Sequence, residues 1–194
     1  MTIRSTLIAT TALLALAGCG QKQDNPSAVA TNSADTFNQT DASMPNATKM
    51  PAVSAAQSFV NTAAASDAFE IETSKLALTN GASASVKSFA RKMIDAHSGS
   101  TGKLKTLTAE MNPALTPDAT LSAQQQATLD QLKSLKGKAF DEAYIAAQTS
   151  GHQQTLDALK AYSATGDVPQ LKSFATDLIP TVTAHLNMAK GLKA

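Results

Sequence analysis

The sequence has 194 residues, with 16 Lys+Arg against 15 Asp+Glu, three His, one Cys, no Trp and 4% aromatics. A formal charge of +1 offers no basic face of the kind nucleic acid demands. A lone cysteine excludes an intramolecular disulfide and any CxxC metal or redox site. Few aromatics and abundant Ala, Leu, Lys, Gln and Ser point to helices rather than packed strands.

Arg4 is the only charge ahead of an apolar run from Leu7 to Ala17, which closes on Leu16-Ala17-Gly18-Cys19. A positive start, a hydrophobic stretch of about 7–15 residues and small residues at the cut describe an export signal. The run falls short of the ~20 residues that span a bilayer. Its end resembles the lipobox of bacterial lipoproteins, which implies removal of residues 1–18 and lipidation of Cys19. With Gly20 next rather than Asp, the resemblance also implies delivery to the periplasmic face of the outer membrane. Several acyl chains, at about 0.8 kcal/mol per buried CH₂, anchor a protein durably. Loss of residues 1–18 removes Arg4 and no acid, leaving 15 basic and 15 acidic residues and no net field to gather charged partners. Residues 19–52 then read as the lipidated cysteine and a tether rich in Ser, Thr, Asn, Asp, Ala and Pro, without a period of 2 or 3.6.

Residues 53–194 form the predicted helical domain. Breaks at Asn80-Gly81, Met111-Asn112-Pro113, Gly137 and Thr165-Gly166-Asp167 predict helices over 54–80, 83–111, 122–136, 138–164 and 168–192. Ser122 and Gln125 have the spacing of a capping box. Pro169 suits a helix start, and Pro180 falls inside the last helix, where it predicts a kink. The run Val86-Lys87-Ser88-Phe89-Ala90 after Gly81 is echoed by Leu171-Lys172-Ser173-Phe174-Ala175 after Gly166. Two similar hairpins therefore flank a connection long enough to run back along a bundle. A four-helix core follows, with either this crossover or an up-down-up-down order and a short helical cap.

At 100° per residue, polar side chains fall within the apolar faces. Glu70 and Asp67 lie among Phe59, Val60 and Phe69 on the first long helix, and His97 among Phe89, Met93 and Leu104 on the second. Asp141, Gln148 and His152 lie among Phe140, Tyr144 and Leu156, and His185 among Leu178, Val182 and Leu186. Every histidine thus faces the core, each from its own helix, and Glu70 represents the fourth. Four helices that each contribute a ligand-type side chain is how bundles build metal sites, and one carboxylate with three imidazoles suits Zn²⁺, Mn²⁺ or Fe²⁺. The metal-free alternative is a core polar network that takes in Asp67, Asp141 and Gln148, in which pairs such as Glu70–His97 satisfy each other. Axial arithmetic puts the four near mid-bundle but spread over about 12 Å, wide for one ion, and puts Asp141 about 16 Å from His152. Asp141 reads as a helix-entry acid, and Met93, Met111 and Met188 as core filling.

Phe59-Val60, Ala65-Ser66-Asp67 and Glu70-Ile71 are followed by Val86-Lys87-x-Phe89-Ala90-x-x-Met93-Ile94 up to His97. Phe140-Asp141-x-x-Tyr144, Gln148, His152, and Phe174-Ala175 through Pro180 to His185-Leu186 complete a pattern over residues 54–192. The pattern resembles the domain-of-unknown-function family 4142. That resemblance implies a ferritin-like helical bundle in exported, often outer-membrane-associated proteins of unestablished activity. It does not imply ferritin chemistry, because the residues three before the histidines are Ile94, Thr149 and Val182 rather than the Glu of di-iron sites. The family commonly carries an acid just before the second-helix histidine, where this chain has Ala96.

The expected function is that of an outer-membrane-anchored, non-enzymatic envelope binding or interaction module with a role in stress and an envelope protein as its partner. The alternative is a metal-binding or oxidoreductase bundle that uses Glu70, His97, His152 and His185.

Overall fold

The computed structural model describes residues 53–194. The proposed signal peptide, Cys19 and the tether lie outside the described residues. Five helices make up the described chain: α1 (Ala55–Asn80), α2 (Ala84–Ala109), α3 (Ala123–Ser134), α4 (Gly137–Thr165) and α5 (Pro169–Gly191). No described helix is long and apolar enough to cross a membrane.

Local chemistry sets these limits. The Ser54 hydroxyl accepts from the Gln57 N–H at the start of α1, and the Gly81 N–H closes its end on the Ala77 carbonyl. Ser122 and Gln125 form the reciprocal capping box at α3, as their spacing predicted. Pro169 opens α5, where its missing N–H costs nothing. Pro180 is accommodated inside α5, which continues unbroken to Gly191.

The connection after α2 decides the topology. Gly137, at the head of α4, pairs in parallel with Gly81, at the foot of α1. Since α1 ends and α4 begins at the same end, residues 110–136 must return along the length of α2. This excludes the up-down-up-down alternative and gives an up-down-down-up bundle with one crossover, the ferritin-like order. α1 packs on α2 and α4, α5 packs on α4 and α2, and the crossover helix α3 lies against α1 and α4. The fold is an all-α four-helix bundle with a short additional helix in the connection.

Two hydrophobic clusters fill the bundle. One gathers Phe59, Val60, Leu104, Leu156, Leu159, Leu171 and Val182. The other gathers Ala77, Val86, Phe89, Met93, Phe140, Tyr144 and Ala189 at the Gly81–Gly137 end. On α1, α2 and α4 the change from one cluster to the other brackets polar residues, Asp67, Glu70 and Thr73 on α1, His97 on α2, and Gln148 and His152 on α4, while on α5 His185 falls between Val182 and Leu186 of the first cluster. All of these are buried. A polar layer therefore crosses the middle of the core.

Met93 is fully buried as expected, whereas Met188 is among the exposed large hydrophobic residues. It sits three residues after His185, towards the solvent side of α5, and fills no core space.

Candidate metal centre

Three of the four expected ligands converge. His97, His152 and His185 each offer a ligand atom, and these atoms all lie within 4.8 Å of one another. The ring centroids are 5.6 Å apart for His97–His152, 5.6 Å for His97–His185 and 5.4 Å for His152–His185. The three side chains are 1–7% exposed.

The spread of about 12 Å expected along the axis closes because side chains tilt toward their own helix N-terminus. In this topology that tilt points toward the Gly81 end for α2 and α4, and away from it for α1 and α5. His97, the deepest by axial count, is drawn up, while His185, the shallowest, is drawn down. Counting backbone rise alone misses this convergence.

Hydrogen bonds orient two of the rings. Asp67 Oδ1 lies 2.8 Å from His97 Nδ1, and the Gln148 carbonyl lies 2.8 Å from His152 Nδ1. A carboxylate and a carbonyl can only accept, so both Nδ1 atoms donate and the lone pair of each neutral ring falls on Nε2. Those two Nε2 atoms, together with His185 Nδ1, are buried without any hydrogen-bond partner. Orphaned buried nitrogens are costly, and these three belong to the three histidines that converge from three helices. Rings backed by an acceptor and open on the other nitrogen have the arrangement of metal-ligating histidines.

Glu70 is not among the converging three. Its Oε1 lies 3.6 Å from His152 Nδ1, on the far side of the ring from the free nitrogen, and the carboxyl is 2% exposed. The pairing expected for His97 also changes. Its partner is Asp67, whose second oxygen accepts from the Thr101 hydroxyl at 3.1 Å, while Glu70 neighbours His152. Asp67 is one helical turn before Glu70 and faces α2, whereas Glu70 faces α4. Gln148 donates to the Thr73 hydroxyl at 3.1 Å, so Asp67 and Gln148 both belong to the polar layer. Asp141 does not. Its carboxylate accepts from the Ala82 and Ser83 N–H groups, at 2.8 Å for Ser83, and so caps α2 rather than its own helix. A Cβ on Gly81 would stand 2.8 Å from Asp141 Oδ1, and glycine is what allows that approach.

Burial governs the charge states. It pushes the Glu70 carboxyl up to about 7, against the opposing pull of His97 and a hydrogen bond from Gln148. It pushes His152 down to about 3, with the Gln148 carbonyl opposing and the charges of His97 and His185 adding to the effect. His185 is pushed down to about 4 by burial and then by His97. For His97 burial also acts downward, but the Asp67 hydrogen bond and the charges of Glu70 and Asp67 more than offset it, so its net shift is upward. His97 is thus shifted up, opposite to His152 and His185, which are held as neutral donors.

Sequence reasoning missed Thr101, Thr73 and Gly151. A Cβ on Gly151 would lie 2.7 Å from Glu70 Oε1. A glycine in mid-helix beside a core histidine was the available signal, because such a residue costs about 1 kcal/mol relative to alanine and asks for a packing reason.

The family model described as a domain of unknown function, DUF4142, matches residues 40–192. The chain belongs to the DUF4142 family. Among solved structures, the DUF4142 chain resembles CopM in its Cu(II)-bound form, at 19% identity and a TM-score of 0.59 over 70% of this chain and 93% of that one. CopM in its apo form gives 19% identity and a TM-score of 0.57, with 70% and 93% covered. CopM soaked with Ag gives 18% and 0.57, with 72% and 94% covered. At that identity the likeness is one of fold. No curated protein matches the sequence.

Proposed function

We propose that this DUF4142 protein binds one transition-metal ion in the centre of its bundle through His97, His152 and His185, with Asp67 and Glu70 as the flanking carboxylates. The observation that carries this reading is the set of three buried, unpartnered ring nitrogens on three different helices. Three neutral imidazoles with no carboxylate among them suit copper or zinc better than the harder manganese, and copper leads the affinity order of the divalent ions. CopM, which shares the fold, is described in Cu(II)- and Cu(I)-bound forms, which supports copper as the first ion to try. With bonds of about 2.0–2.1 Å, donors around a tetrahedral ion stand roughly 3.4 Å apart. Binding therefore draws the rings together by about an ångström. Two carboxylates beside the triad match the charge of a divalent ion.

On the export signal and the lipobox-like Cys19, this binding takes place on the periplasmic face of the outer membrane. Retaining a metal at the envelope is the role this supports. An interaction with another envelope protein remains the second part of the proposal.

The test is copper and zinc analysis of the full chain carrying Cys19→Ser, purified without chelator and challenged with each ion. The expected result is one ion per chain, abolished in His97→Ala/His152→Ala and retained in Asp141→Ala. Stoichiometry unchanged in the double histidine variant sinks the proposal.

A further inference from the structure

Beside the triad, among α1, α2, α4 and α5, lies a pocket of about 40 Å³ lined by His97, His185 and Asp67 together with Ala63, Leu159, Leu178 and Val182. Its wall is mainly apolar. Counting roughly 10–15 Å³ for each water, it holds about three. His97 and His185 are 5% and 7% exposed, and each carries an unpartnered buried nitrogen. The opposite side of the layer differs. There a groove under α3 is lined by Glu70 and Gly151 but by none of the three histidines, and His152 turns its already bonded Nδ1 toward Glu70.

Resting on the metal reading above, we infer that the ion keeps an open coordination position facing this cavity, where it takes one small exogenous ligand. Three histidines supply three of the four positions of a tetrahedral ion, and a fourth left to water or substrate distinguishes reactive sites from purely structural ones. An ion held between His97 and His185 borders the cavity that both line, and no carboxylate joins the converging set. The size and apolar wall favour a monodentate ligand of one to three heavy atoms, such as water, a small monoanion or a diatomic gas. Sugars and nucleotides are too large for the cavity.

The test uses the full chain carrying Cys19→Ser, loaded with one Cu²⁺ and titrated with azide, read by the azide-to-copper charge-transfer band. The expected result is saturation at one azide per copper. Ala63→Leu, which fills the cavity, should weaken azide at least about tenfold while copper stoichiometry is unchanged. Leu178→Ala, which enlarges the cavity, should admit imidazole to a copper that excludes it in the parent chain, and this arm decides the matter if Ala63→Leu does not fold. Copper that is held but gives no azide band, or azide bound equally well in Ala63→Leu, overturns the open position and leaves the metal site standing. Failure to hold copper or zinc at all removes both readings.

Discussion

Gly151→Ala tests whether the buried carboxylate of Glu70 is seated by the missing Cβ on the facing helix. Gly151 lies inside α4 (Gly137–Thr165), where alanine ordinarily adds about 1 kcal/mol of stability through helix propensity. Here the new methyl would stand 2.7 Å from Glu70 Oε1 and 3.6 Å from Phe69 Cε1. The carboxylate is 2% exposed and has the His152 ring 3.6 Å away, so it can retreat only toward the groove under α3. Overpacking of this kind costs about 1–3 kcal/mol, so the substitution in the parent chain should be neutral or destabilising by up to about 2 kcal/mol. In a Glu70→Ala background the obstacle is gone, and Gly151→Ala should stabilise by about 1 kcal/mol. The double-mutant cycle therefore carries a coupling of about 1–3 kcal/mol, measured by urea unfolding of all four metal-free chains followed through helical circular dichroism. Equal stabilisation by Gly151→Ala in both backgrounds, within the roughly 0.3–0.5 kcal/mol of simple additivity, would refute the close approach.

Three further outcomes follow from the same geometry. The metal-free chain should lose stability as pH falls below 6.5: His152, held down to about 3, stays neutral in the fold while the unfolded chain takes a proton, at about 1.4 kcal/mol per pH unit. His185 acts in the same direction, whereas Glu70, raised to about 7, opposes it between pH 7 and 4.5 by holding a proton that the unfolded chain lacks. Urea midpoints should therefore fall more steeply from pH 6.5 to 5 in Glu70→Gln than in the parent, and parallel profiles would contradict these charge states. Asp141→Ala frees the Ala82 and Ser83 N–H groups at the start of α2 and should cost about 1–2 kcal/mol by chemical unfolding, with metal stoichiometry unchanged. Copper at a hundred times its dissociation constant should stabilise the parent by about 2.7 kcal/mol; a matching gain in His152→Ala would place the ion elsewhere.

The helices were legible because the breaks that end them are chemical. Gly81, Gly137 and Gly166 follow the apolar periods, Ser54 and Ser122 cap, and Pro169 opens. Each acts through its own backbone neighbours. The crossover was only one of two orders compatible with those helices, since nothing in 110–136 states which end of the bundle it reaches. The pairing of Gly81 with Gly137 decides that, and it is a contact across 56 residues of chain.

The same divide between local and distant information runs through the site. That each histidine faces the core is a property of one helix and could be read by counting. Which carboxylate backs which histidine depends on how two helices are rotated against each other, and so Asp67 rather than Glu70 meets His97. Asp141 shows the limit from the other side. Its position near the start of α4 suggested service to its own helix, but the fold delivers the start of α2 to it, and the free N–H groups there are the stronger claim on a buried carboxylate. A residue buried by its own periodicity finds its partner only through tertiary geometry. The three ring nitrogens that find no protein partner, with Glu70 Oε2 and Gln148 Oε1 unpartnered in the same layer, are therefore the part of this core that asks for a ligand from outside it.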